Sequence, residues 1–337
     1  MVVTGAGEKA FCAGGDVRSL YDAGKAGDYS VGSDFFNAEY TLDYLIGTYT
    51  KPICSIVDGI TMGGGVGVSM HGRYVVATER TLFAMPEAAL GLFPDVGASH
   101  FLTKTRASAQ SPPSSVAMAV YLGLTGARLK GAELKRLGLA THFVPAASVP
   151  DLIGRLKSVI ATGTDVDEAD RKINDVLREF EHGVDDAIPE ESVLHCGDAI
   201  ERCFSKASVE AIVSELTAST AAAGREGDWA RASLKAIEGA APVSLKVTLQ
   251  QMIRAKSLPL NKVFQMDYRM ATQFVRGKTF YEGVRSILVD KDRNPKWEPS
   301  TLAEVSDADV ERYFKEPEGG DIDIDETRLP GFFSGKL

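Results

Sequence analysis

The sequence is poor in the features that mark several protein classes. Four cysteines, Cys12, Cys54, Cys196 and Cys203, are spread over 337 residues. None forms a Cys-x-x-Cys pair and no histidine spacing completes a zinc pattern, so neither a disulfide scaffold nor a zinc module is indicated. Buried, reduced thiols are expected instead. The five histidines, His71, His100, His142, His182 and His195, are scattered without metal-ligand spacing and are read as structural. No apolar run approaches the roughly 20 residues of a membrane-spanning helix. No block of Lys or Arg occurs, and 46 acidic against 37 basic residues give a net charge of −9. That balance offers no electrostatic footprint for nucleic acid and no attraction to an anionic membrane. An anionic ligand would have to be met by local donors, against the overall field. The first residues, Met-Val-Val-Thr-Gly-Ala-Gly, hold no charged n-region and no Arg-rich amphipathic stretch, so no N-terminal address is readable.

What is present is an ordinary globular composition, 44% hydrophobic and 25% charged, in a chain long enough for a sizeable core. Residues 1–5 read as a strand end running into a glycine-rich loop. A helix follows from Asp16, a plausible N-cap, to about Lys25. Phe35 to Ile46 reads as an amphipathic helix with Phe36, Tyr40, Tyr44 and Leu45 near one face. Apolar strands are expected at 51–59, Arg73 to Ala77 and Leu82 to Met85, with a short helix opening at the glycine run 63–65. This alternation predicts an α/β fold with a largely parallel, buried sheet. Residues 103–115 form a polar Pro/Ser loop, helical character resumes at Ala117, and Leu129 to Leu137 reads as one helix stopped by Gly138. Beyond about 150 the periodicity is mostly helical, as in Val209 to Leu216, Trp229 to Ile237 and Leu245 to Ile253. The divisions expected are a core over 1–148, a helical region over 149–315 and a loose acidic tail over 316–337.

Three stretches carry chemistry. In Lys9-Ala-Phe-Cys-Ala-Gly-Gly-Asp16, small residues before a helix start make a natural anion cradle, suited to a thioester oxygen becoming an oxyanion. A mere tight turn is the plain alternative. In Asp58-Gly-Ile-Thr-Met-Gly-Gly-Gly-Val-Gly67, three glycines at a strand-to-helix junction offer free N–H groups and a favourable dipole; close helix–strand packing would also account for them. In Leu82-Phe-Ala-Met-Pro-Glu-Ala-Ala-Leu-Gly-Leu-Phe-Pro-Asp-Val-Gly97, Glu87 and Asp95 each follow a proline in an apolar setting that would raise their pKa values toward neutrality. Helix capping is the competing role. Gly5-Ala-Gly-Glu-Lys-Ala10 matches a dinucleotide fingerprint, but the helix starts near Asp16 rather than at the glycines, which argues against a dehydrogenase. Gly67-Val-Ser-Met-His71 lacks the closing glycine of a nucleophile elbow.

In their order these segments resemble the crotonase (enoyl-CoA hydratase) superfamily. Glu39-Tyr40 after Phe35-Phe36, Gly91-Leu-Phe-Pro-Asp-Val-Gly97, Leu122 to Leu129, Ala140 to Val144 and Val284 to Trp297 are similar to the 3-hydroxyisobutyryl-CoA hydrolases within it. The resemblance implies a spiral of ββα units, here without the strand pair and helix that usually precede Ala-Phe-Cys-Ala-Gly. Reduced stability and weakened CoA binding are expected from that shortening. It implies an oxyanion hole from the N–H groups of Gly15 and Gly64, and a substrate site lined by Glu39, Gly64, Glu87 and Asp95. Glu87 would activate water or attack the carbonyl to give an anhydride. Asp95 would hold the substrate hydroxyl or the water, and Glu39 would orient the acyl end. No metal or organic cofactor is implied, CoA being part of the substrate. In the hydratases a first glutamate stands three residues after the middle glycine. That position is Gly67 here, which speaks against hydration and for thioester hydrolysis in valine catabolism. A hydratase or isomerase and a non-catalytic structural subunit are the alternatives, and a homo-oligomer is left open. Mitochondrial localisation follows by family analogy, peroxisomal as the alternative, although Gly-Lys-Leu337 matches Ser-Lys-Leu poorly. The 103–115 loop is longer than the family's link and is read as a surface insertion.

Overall fold

The structure, a computed structural model, describes residues 1–105, 113–160 and 165–324. Most of the Pro/Ser loop and the end of the acidic tail lie outside the described residues. The chain begins β1 (Val2–Thr4), β2 (Ala10–Cys12), α1 (Val17–Lys25), α2 (Ser30–Thr48), β3 (Cys54–Val57), β4 (Ile60–Met62) and α3 (Gly64–Met70). It continues β5 (Tyr74–Ala77), β6 (Leu82–Ala84), α4 (Ala98–Leu102), α5 (Ser115–Thr125), β7 (Leu129–Lys130), α6 (Gly131–Leu137) and β8 (His142–Phe143). Helices then dominate: α7 (Val149–Ile160), α8 (Val166–Phe180), α9 (Gly197–Phe204), α10 (Val209–Ser219), α11 (Arg225–Gly239), α12 (Pro242–Ala255), α13 (Leu260–Phe274), α14 (Lys278–Val284) and α15 (Asp307–Arg312).

The strands build two sheets, ordered β1-β3-β5-β8 and β2-β4-β6-β7. Each pass of the chain adds one strand to each sheet, so the ββα units stack as a spiral. All pairings are parallel except β6–β7. The corner between β3 and β4 needs Gly59, which has φ 95° and whose added Cβ would lie 2.8 Å from Lys9 O. The turns of the spiral bond to one another there: Ile60 N donates to Lys9 O and Leu82 N to Gly59 O.

β3 and β5 are buried on both faces, as strands of a parallel sheet must be when helices cover it. Cys54, Ile56, Tyr74 and Val76 point to one side, into a cluster with Leu152, Leu156, Ile173, Val176 and Leu177 of α7 and α8. Val57, Val75 and Ala77 point to the other, into the main core. This period-two division is the strand geometry itself. The main core runs without a break from Phe11 and Phe83 to Phe264, Phe274 and Phe280, so the expected core and helical regions share one interior.

Three local expectations differ from the structure. Leu129 to Leu137 is not one helix: Leu129 and Lys130 pair with Leu82 and Phe83 as β7, and α6 begins at Gly131, where a Cβ would collide with Thr78 O. The second helix is longer than 35–46, running over Ser30–Thr48. The start of the acidic tail is docked rather than loose: Ile322 and Ile324 are buried, and Arg269 Nε donates to Asp321 Oδ1 at 2.7 Å. All four cysteines are free, with Cys12 half-buried and the other three buried.

Candidate active site

Neighbouring parallel strands present their C-terminal ends side by side, and in sheets of this kind that edge is where ligands bind. β2, β4 and β6 are successive neighbours. Their C-terminal ends lead into the Gly15 loop, the Gly63–Gly65 run and the Pro86-Glu87 turn. The three motifs are therefore brought together by strand order alone.

Each glycine of the run has its own reason. Gly63 has φ 52° and caps α3. A Cβ on Gly65 would collide with Cys12 O, which is the close helix–strand packing weighed above. A Cβ on Gly64 would stand 3.3 Å from Gly15 N and 2.5 Å from Glu39 Oε1. Gly64 thus faces Gly15 across a gap the width of one atom. Gly64 is the first residue of α3, so its N–H has no intrahelical acceptor. Neither it nor Gly15 N–H donates to another group among the described residues. Asp16 caps α1, accepting from Ser19 N at 3.1 Å, and so sets the turn that presents Gly15.

Glu87 is 6% exposed and opens a 3-10 turn over Glu87–Leu90. It caps no helix with its side chain; its Oε1 stands 3.2 Å from the position of a Cβ on Gly63, and its Oε2 has no partner among the described residues. Asp95 is likewise not a cap, because its Oδ2 accepts from Tyr40 Oη at 2.8 Å. The next residue, Val96, has φ 52°, a conformation that costs a β-branched side chain about 1–3 kcal/mol. It is held by His71, whose Nε2 lies 2.7 Å from Val96 O, and by Gly97 N, which donates to Asp267 Oδ2 at 2.8 Å. Gln251 Nε2 donates to Pro94 O at 2.8 Å and to Asp267 Oδ1 at 3.0 Å. Helices α12 and α13 therefore buttress the Asp95 loop directly.

The electrostatics are those of crowded, dry acids. Burial, then the charge of Asp95, pushes Glu39 upward. Burial, then Asp95, raises Glu87 well above the ordinary carboxylate range. Asp95 is pushed up to about 6 by burial, with the Tyr40 hydroxyl pulling the other way. The cluster thus holds one acid that ionises comparatively early and others that keep their protons longer.

All five expected site residues, Gly15, Glu39, Gly64, Glu87 and Asp95, converge. Sequence reasoning missed Asp43 and Asp267, both fully buried, and the bond from Tyr40 to Asp95. Asp43 had a readable signal, since it stands one turn after Glu39 on the same helix; Asp267 had none. Among the described residues no group of three or more His, Cys, Asp or Glu side chains is placed to hold a metal ion. None of the described helices is long and apolar enough to cross a membrane. Two free N–H groups opposite a buried carboxyl make an arrangement for stabilising an oxyanion while a proton is taken from its attacker.

Comparison with known proteins identifies the family. The profile of the enoyl-CoA hydratase/isomerase family matches residues 1–314. A mitochondrial 3-hydroxyisobutyryl-CoA hydrolase of Gallus gallus is 43% identical over 96% of this chain and 79% of its own length. The 3-hydroxyisobutyryl-CoA hydrolase 1 of Arabidopsis thaliana is 41% identical, over 93% of this chain and 79% of its own. Among solved structures, a carnitinyl-CoA dehydratase from Mycobacterium thermoresistibile superposes with a TM-score of 0.79 at 34% identity, covering 95% of this chain and 84% of that one. An enoyl-CoA hydratase from Rhodobacter sphaeroides gives the same TM-score at 32% identity, covering 95% and 85%. With its spiral of ββα units and its glycine-lined site, the chain belongs to the enoyl-CoA hydratase/isomerase family.

Proposed function

We propose that the protein hydrolyses the thioester of 3-hydroxyisobutyryl-CoA to 3-hydroxyisobutyrate and CoA. The observation that carries this reading is the pairing of the Gly15 and Gly64 N–H groups with buried Glu87, while position 67 on α3 is a glycine. An acyl carbonyl oxygen fits between the two N–H groups. The ionised form of Glu87, made strongly basic by burial and by the charge of Asp95, takes a proton from water as the water oxygen attacks the carbonyl carbon. The tetrahedral oxyanion collapses, the C–S bond breaks, and the proton passes to the thiolate sulfur. Asp95, braced by Tyr40, holds the substrate hydroxyl or the water, and its charge keeps Glu87 basic. Glu39, against Gly64, orients the acyl end. No organic cofactor or metal enters this scheme. The names of both sequence relatives support the hydrolase reading, and that of the Gallus gallus relative supports a mitochondrial setting.

The phosphates of CoA need cations that an acidic chain supplies only locally. A cavity of about 450 Å³ beyond the end of α1 is lined by Lys25, Arg276 and Lys296, none of which has a carboxylate at ion-pair distance among the described residues. Tyr21 and Tyr281, with ring centroids 5.7 Å apart, flank it. This cavity is our choice for the nucleotide end.

The solved structures bear the names of a dehydratase and a hydratase, which favours a second reading, water addition to an enoyl-CoA. Gly67 opposes it. Thiol release from 3-hydroxyisobutyryl-CoA, wild type against Glu87→Gln, with crotonyl-CoA hydration followed in parallel, separates the two. Hydrolysis lost in the variant with hydration in neither supports the hydrolase; hydration by the wild type overturns it.

A further inference from the structure

Asp43 is fully buried, and neither of its carboxylate oxygens has a hydrogen-bond partner among the described residues. So exposed a contradiction of ordinary burial rules calls for a reason. The packing between α2 and α3 supplies one. Glu39 and Asp43 stand four residues apart on α2, and Gly64 and Gly67 stand three apart on α3. Both spacings put a pair on one helix face. The acid pair lies against the glycine pair: a Cβ on Gly64 would meet Glu39 Oε1 at 2.5 Å, and a Cβ on Gly67 would collide with Asp43 Oδ2 and lie 2.8 Å from Val96 Cβ. Gly67 is thus the notch that receives the Asp43 carboxyl. One helical turn along, the same packing sets Glu39 against Gly64.

We propose that Asp43 is a positioning residue of the active site, a neutral carboxylic acid seated in the Gly67 notch that fixes α2 against α3 and so holds Glu39 over Gly64 and Val96 in its left-handed turn. The charged groups acting on it are Glu39 on its own helix, Asp95 on the loop, and Asp267 on α13, with no cation among those that perturb it. Burial and three neighbouring acids all favour its protonated form. The proposal rests on the thioesterase reading for its kinetic test but not for its structural one.

The test uses four variants of the full chain: Asp43→Asn, Asp43→Ala, Gly67→Ala and the double Asp43→Ala/Gly67→Ala. For each, kcat, KM for 3-hydroxyisobutyryl-CoA and the thermal midpoint are measured. Asp43→Asn, which keeps shape and neutrality, should retain kcat within about threefold. Gly67→Ala should lower kcat about a hundredfold, because displacement by an ångström at a site costs that much, with a smaller effect on KM. Removing the carboxyl in the double variant should restore at least about tenfold of that loss, Val96 still opposing the new methyl. A fully active Gly67→Ala, or a double variant no better than Gly67→Ala, overturns the pairing. An Asp43→Asn variant as inactive as Gly67→Ala overturns neutrality, since the charge would then be in use. An Asp43→Ala variant that melts earlier yet keeps wild-type kcat when folded reduces Asp43 to a structural role and also overturns the proposal. If the wild type does not turn over the thioester, the functional reading fails while the same rescue pattern in the thermal midpoints still tests the pair.

Discussion

Replacing Gly64 by alanine tests the oxyanion hole at its narrowest point. The added Cβ would lie 3.3 Å from Gly15 N. A substrate oxygen bonded to that N–H must sit 2.7–3.1 Å from the nitrogen. Methyl and oxygen would therefore claim the same space, and the carbonyl could not reach both donors at once. Losing one such donor costs about 2.7–4 kcal/mol of transition-state stabilisation, or about 10²–10³ in kcat. The fold should survive. Gly64 does not have a positive φ, alanine is the better helix former, and the other crowded atom, Glu39 Oε1, is the end of a half-buried side chain that can turn aside. Steady-state kinetics on 3-hydroxyisobutyryl-CoA, with a thermal melt as control, would read the effect. A folded Gly64→Ala enzyme with kcat within about threefold of wild type would refute the assignment of the hole.

The remaining expectations are briefer. Glu87→Gln should remove at least about 10²-fold of kcat while leaving the fold intact, as read by thiol release beside circular dichroism. Tyr40→Phe deletes the hydrogen bond that lowers the Asp95 pKa. Asp95 then holds its proton to higher pH, so the acid limb of kcat/KM should move upward; an unmoved limb would detach Asp95 from the rate. Asp43 has a raised folded pKa, so its contribution to stability is fully present only below its unfolded pKa of about 3.9 and declines as pH rises above it. Asp43→Asn should accordingly gain stability relative to wild type as pH increases from about 4 to 8, measured by urea unfolding at each pH. Lys25→Ala and Arg276→Ala should raise KM for the CoA ester about tenfold while leaving hydrolysis of the matching pantetheine thioester unchanged; equal effects on both substrates would remove the cavity from CoA binding.

Local chemistry made much of this protein legible in one dimension. Strands rich in β-branched residues, glycines at strand-to-helix junctions, the Asp16 cap and the proline-fixed carboxyls at 87 and 95 are short-range features, each set by backbone sterics or a bond a few residues long. The five expected site residues could be named because they sit in such segments, and the resemblance tied the segments together. What only the tertiary structure decided is what meets across long separations. Leu129 and Lys130 read as helix until strand β6 offered them an antiparallel partner. Ile322 and Ile324 read as tail until the core received them. Asp43, Asp267 and Gln251 are polar residues on amphipathic helices, where solvent exposure is the ordinary outcome. Their burial depends on Gly67, Gly97 and Pro94, each at least 24 positions away in the chain. Helical periodicity fixes which face a residue occupies. The packing partner of that face is chosen by the whole interior, and the acidity of the site follows from that choice.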